Sequence, residues 1–298
     1  MAHITMCEPV ELYNLLNQCR CVSRLSEINY FCLIDAQETQ DYNTSHIVTA
    51  KNVKMVAKGS FLLPYTVEIE SMRHIVVYDS NTSSLKEQGR AVACANVVAK
   101  SSSTPVKILK GGFQRFSALY PFLRTEKIFY TITELENFKI YPVEIIAGLL
   151  YMGDQNQWQD PNTLKDLKIS ATVNISHFTP TDSVESLSGT HTTLDIPLDD
   201  DVESDLYSNF QEICSFISSH IDAGCRVLIV SRQGRSRCSA VAIAFLMHHF
   251  KYTLEKAWRH MIKCKSTMRP NTGFLQQLSD WERHLMGRKH TDLSKARF

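Results

Sequence analysis

The chain has 298 residues, 44% of them hydrophobic and 21% charged, which is enough for two ordinary domains of roughly 100 to 150 residues, each with its own core. Its 32 basic and 31 acidic residues leave a formal net charge of +1, so the global field favours neither nucleic acid nor an anionic membrane surface, and any basic site has to be local. No apolar run reaches the roughly 18 to 20 residues of a membrane span, and the 9 cysteines follow neither a zinc nor a secreted-disulfide spacing, which points to a reducing compartment.

The first stretch, "MAHITMCEPVELYNLLNQCRC", has no basic region leading into an apolar one, which argues against a secretory signal. Its apolar spacing with Glu8 and Glu11 predicts the first helix of a domain, so a cytoplasmic location is expected, with a mitochondrial one as the alternative. "YFCLIDAQ" and "HIVVYDS" read as short buried strands and "LKEQGRAVACANVVAK" as a helix, while "PVKILKGGF" ends a strand on a Gly pair. Residues 124–140 are charged and aperiodic and are expected to connect two domains. Beyond them "EIIAGLLYMG", "SATVNIS", "HTTLDIPL" and "RVLIV" read as strands, followed by helices near 206–222, 238–250, 253–264 and 272–285. Strands alternating with helices imply an α/β protein of two domains, 1–123 and 141–285, each with a mostly parallel central sheet flanked by helices. The polar, basic end 286–298 is expected to be a disordered tail.

Within "VLIVSRQGRSRCSAVAIAF" an apolar strand runs through seven polar residues directly into a helix. That arrangement turns backbone N–H groups and the positive end of a helix dipole into one loop, an anion site made of Ser231, Arg232, Gln233, Gly234, Arg235, Ser236 and Arg237. Gly234 permits the tight path, and Arg237 can fork two hydrogen bonds onto a phosphate.

Residues 140–285 resemble the dual-specificity protein phosphatases, whose loop reads His-Cys-x-x-Gly-x-Ser-Arg. Gly234, Ser236 and Arg237 match it, as do "EIIAGLLYMG", "VNIS", "IPLDD", "AIAFLMHH" and "MRPNTGFLQQL" around the loop. The resemblance implies a thiolate nucleophile where this chain has Ser231 and a histidine where it has Val230. A thiolate forms because a helix N-terminus and positive groups lower the thiol pKa, whereas a serine hydroxyl keeps its proton unless a base adjoins it. Val230, Arg232 and Arg235 offer none. The general-acid position of the family, three residues after the Pro of an I-P-x-x-D stretch, falls on Asp200, which alternatively is a solvated acidic turn. Cys238, in the first turn of the helix, is expected to pack there with its side chain carried away from the phosphate position, and Pro270 with Asn271 to support the loop.

Residues 5–123 resemble a rhodanese-type module through Asp35, Ser45-His46-Ile47, Ala50, Asn52-Val53 and Gly111-Gly112-Phe113. Such modules carry a persulfide cysteine in the loop after the "VVYD" strand, but no Cys occurs between Cys32 and Cys94, so sulfur transfer is not expected. A rhodanese module followed by a dual-specificity domain is the order of the mitogen-activated protein kinase phosphatases, where the first module docks a kinase through adjacent basic residues. Here Arg20, Arg24 and Arg73 are sparse. With Ser231 for Cys and Val230 for His, the chain resembles the catalytically inactive serine/threonine/tyrosine-interacting type. The resemblance implies a pseudophosphatase without cofactor or metal, binding phosphorylated or kinase-pathway proteins. Two alternatives stay open: an interaction protein with an unused pocket that works through the first module, and a weak phosphatase.

Overall fold

The computed structural model describes residues 2–57, 60–63, 68–178 and 191–294. The chain divides into two units, Met1–Lys139 and Ile140–Phe298. The first contains strands Ile4–Cys7 (β1), Phe31–Asp35 (β2), Lys51–Asn52 (β3), His74–Tyr78 (β4) and Val106–Leu109 (β5), in the order β1-β5-β4-β2-β3 with every pairing parallel. β2 and β4 are almost wholly buried, which is why they read as continuous apolar runs and not as alternating ones. Helices Pro9–Leu16 (α1), Arg90–Ser101 (α2) and Gly112–Leu119 (α3) accompany the sheet. α2 buries Ala91, Cys94, Ala95, Val98 and Ala99, a stripe at helical spacing that packs with β2, β4 and β5.

Three expectations are corrected in this unit. The expected first helix is split: Ile4–Cys7 pairs in parallel with β5, and the helix begins only at Pro9. A sheet edge needing a partner outweighs the weak helical pattern of four residues. Helix α2 starts at Arg90, so residues 85–89 belong to a loop. Residues 124–139 are not a free connection, because Arg124–Thr125 pairs antiparallel with His46–Ile47 and Thr131 caps a short helix, Ile132–Glu136.

The second unit holds Val143–Ile146 (β6), Leu150–Asp154 (β7), Ile169–Asn174 (β8), Thr192–Asp195 (β9) and Arg226–Ser231 (β10), in the order β6-β7-β10-β8-β9. β6 is antiparallel to β7 and the other pairings are parallel. "EIIAGLLYMG" is therefore a hairpin turning at Gly148, φ +71°, and not one strand. Its longest helices are Phe210–Asp222 (α4), Arg237–Phe250 (α5), Leu254–Cys264 (α6) and Thr272–Met286 (α7), with shorter ones at Gln155–Gln159 and Pro161–Leu167. Every residue of α5 from Arg237 to Met247 is buried, so this helix lies inside the unit and its N-terminus is fixed where β10 ends.

The segment expected to be a disordered tail is ordered as far as it is described. Glu282 on α7 is 0% exposed and accepts from the amides of Leu254 at 2.8 Å, His290 at 2.8 Å and Thr291 at 2.9 Å and from the Thr291 hydroxyl at 2.7 Å. A buried carboxylate needs such donors, and the chain after α7 folds back to supply three of the four. Residues 295–298 lie outside the described residues. Among the described residues no helix is long and apolar enough to cross a membrane.

Candidate functional site

Central strand β10 is apolar and at most 1% exposed from Val227 to Val230, and it delivers Ser231, 3% exposed, to the start of the loop. The Gly234 amide turns back onto the Ser231 carbonyl at 3.2 Å, so at least this one of the seven loop amides is committed within the turn. Gly234 has φ +61°, and a Cβ there would stand 2.7 Å from the Gly153 carbonyl oxygen of β7. Only glycine allows the loop to lie this close to the neighbouring strand. Helix α5 begins at Arg237, which sets its dipole on the loop.

The loop side chains then separate. Ser231, Gly234 and Arg237 are buried, whereas Arg232, Gln233 and Arg235 are exposed. Arg235 Nε donates to the Thr267 carbonyl at 3.3 Å, and the Arg235 carbonyl accepts from Arg269 N at 3.0 Å. Arg237 Nη1 donates to the Leu198 carbonyl at 2.6 Å. Its Nε is buried without a hydrogen-bond partner among the described residues and lies 4.0 Å from Asp200 Oδ2. Asp200 itself meets the rim of the loop: Oδ1 accepts from Ser236 Oγ at 2.5 Å and from Asn271 Nδ2 at 3.0 Å, while Asn271 N donates to Ser236 Oγ at 3.2 Å.

At the nucleophile position stands Ser231, and the thiol nearby in the sequence is that of Cys238, 0% exposed in the first turn of α5. Burial pushes that thiol up, despite the positive charges of Lys265 and Arg237, so it is a neutral group. Cys238 packs within the core cluster of the second unit. Neither residue supplies a thiolate or a base to take the serine proton.

The corresponding loop of the first unit, after β4, is closed by its own residue. Asp79 accepts from the amides of Asn81 at 3.1 Å, Thr82 at 2.8 Å and Ala91 at 2.9 Å and from the Thr82 hydroxyl at 2.6 Å. Gly112, φ +54°, is needed behind it, since a Cβ there would come 2.3 Å from the Asp79 carbonyl oxygen. The adjoining cleft of about 460 Å³ is lined by Asp79 to Thr82 and Glu87 to Arg90 and has no thiol among these residues. Cys94 is fully buried in α2, and burial pushes its thiol up to about 12. Of the sparse basic residues, Arg24 is 7% exposed and engages both carboxylate oxygens of Glu27 at 2.9 Å.

A central strand feeding an arginine-bearing loop into a helix N-terminus defines a phosphatase-like α/β unit, here in a chain with a second parallel α/β unit. Residues 150–284 match the family described as dual specificity phosphatase, catalytic domain, and residues 8–119 match the rhodanese-like domain. The chain thus joins a rhodanese-like domain to a domain of the dual-specificity phosphatase family. Mouse "Dual specificity protein phosphatase 1" is 27% identical over 293 residues, covering 85% of this chain and 78% of that protein. A "Probable rhodanese domain-containing dual specificity protein phosphatase" of Dictyostelium discoideum is 30% identical over 196 residues, covering 65% of this chain and 40% of its own length. The crystal structure of human DUSP28 is 27% identical, with a TM-score of 0.45, and is covered over 97% of its chain by 50% of this one.

Proposed function

We propose that this protein is a catalytically inactive phosphatase-like protein of the serine/threonine/tyrosine-interacting type, which binds phosphorylated signalling proteins and shields or scaffolds them. The observation that carries the reading is the buried Ser231 at the nucleophile position, at the other end of the loop from a buried Arg237 whose Nε has no hydrogen-bond partner among the described residues. Chemistry has lost its nucleophile, and binding has kept its guanidinium. Phosphoryl recognition needs donors and positive charge, both of which Arg237 and a helix N-terminus supply without a thiolate. Sulfur transfer is absent from the reading because the loop after β4 is filled by Asp79 and has no cysteine.

Two measurements test it. Purified protein incubated with a small aryl phosphate is expected to show no turnover; turnover that vanishes in Ser231→Ala would falsify inactivity. Titration with phosphotyrosine and phosphothreonine peptides is expected to show binding that Arg237→Ala removes. Binding by neither protein would leave the interaction-only alternative, in which the first unit meets the partner.

A further inference from the structure

We infer that Asp200 is an internal competitor for the cradle: its carboxylate latches the 198–206 segment to the loop, and a phosphoryl group has to displace it to bind. This rests on the reading of the loop as phosphoryl-binding. At the position where a phosphatase keeps a mobile acid, every second residue of the segment is held. The Leu198 carbonyl takes Arg237 Nη1 at 2.6 Å, and Asp200 takes Ser236 and Asn271 at 2.5 and 3.0 Å. Val202 lies against Gly273, where a Cβ would stand 2.0 Å from its carbonyl oxygen. Gln277 Nε2 donates to the Ser204 carbonyl at 2.8 Å, and its Oε1 accepts from Leu206 N at 2.9 Å and Tyr207 N at 2.8 Å.

Asp200 Oδ1 is engaged twice as an acceptor, which is the opposite of an acid's task of donating a proton. Its other oxygen sets negative charge 4.0 Å from Arg237 Nε, which makes no hydrogen bond among the described residues. A dianion bound through that Nε would lie beside a like charge, and a loop hydroxyl and the Arg237 Nη1 would already be in use. Inside a latched loop Asp200 therefore sets a threshold for ligands: only a group that outbids it for Arg237 and Ser236 enters.

The test is calorimetric titration of the full chain, at fixed pH and ionic strength, with inorganic phosphate and with phosphotyrosine. It compares the parent with Asp200→Ala, the isosteric Asp200→Asn and Arg237→Ala. Asp200→Ala is expected to bind about tenfold more tightly than the parent, with a smaller gain in Asp200→Asn, which keeps an acceptor but loses the charge. Amide exchange across 198–204 should quicken in the same variants. Binding in Asp200→Ala but not in the parent supports the latch as well. Equal or weaker binding in both Asp200 variants overturns the latch while leaving the phosphoryl reading intact, and absence of binding in every protein overturns both. Should Asp200→Ala fail to fold, Asp200→Asn decides.

Discussion

Each unit ends a buried parallel strand on a loop that enters a helix, and each loop meets a carboxylate, but the two carboxylates come from different places. In the first unit Asp79 directly follows β4 and accepts four hydrogen bonds from Asn81, Thr82 and Ala91. The helix N-terminus is satisfied by a residue that cannot leave without unfolding the loop. In the second unit Asp200 arrives from a separate segment, 31 residues before Ser231 in the sequence, and touches the rim at Ser236 while Arg237 Nε keeps no hydrogen-bond partner among the described residues. A strand, a loop and a helix N-terminus make an anion site only when the compensating charge is not built into the loop itself. On the proposed reading the first loop is structural, and the second is the one a ligand enters.

The largest expected difference between the two loops lies in restored chemistry. Val230→His combined with Ser231→Cys is expected to raise aryl phosphate turnover at least about 10²-fold over the parent, with less from Ser231→Cys alone. A cysteine placed in the first loop, Ser80→Cys, is expected to give no thiosulfate sulfurtransferase activity, because Asp79 already occupies the loop donors. If the double substitution stays inert, the second loop is as closed to chemistry as the first. The next effect is on stability. Asp79→Ala strips a partner from three amides and a buried hydroxyl and should destabilise the first unit by about 3 kcal/mol in urea unfolding, while Asp200→Ala costs less than about 1 kcal/mol. Similar losses from the two would erase the distinction between a built-in and a displaceable carboxylate.

Much of this was legible in sequence because it is local. Gly234, Ser231 and Arg237 stand at fixed spacings in one loop, and β2, β4 and β10 announce themselves as short apolar runs. What was missed depends on partners distant in the chain. Ile4–Cys7 is a strand only because β5 offers an edge, and His290 and Thr291 are held only because Glu282 is buried. The Asn271, Gln277 and Arg237 contacts to the acid segment join residues up to 73 positions apart, which no local pattern encodes. The β6–β7 hairpin was hidden because both strands are buried and apolar, so that a single glycine, Gly148, had to mark the turn.

The smallest predicted effect concerns pH and again sets one unit against the other. Burial pushes the Asp35 carboxyl up to about 6, despite the Tyr78 hydroxyl at 2.5 Å and the Gln37 amide at 2.8 Å. Its ordinary value is near 3.8, so between these values the folded chain binds the extra proton. The stability from this group is full at low pH and is lost as pH rises through about 6. Glu282 has the opposite sign. Burial works against its charge, but the hydrogen bonds from Leu254, Thr291 and His290 outweigh it and hold the carboxyl below its usual 4.5. Its stabilisation is present above that value and is lost as pH falls below it. Between pH 7 and 5, exchange protection of the β2 and β4 amides, corrected for intrinsic rates, should therefore rise by about 1 kcal/mol, while α6 and α7 hold steady until the pH drops further. Asp35→Asn should remove the gain in the first unit and leave the second unit's acid response in place. Protection that falls in both units together on mild acidification, or a gain that survives Asp35→Asn, would show that the buried Asp35 is not the group that titrates.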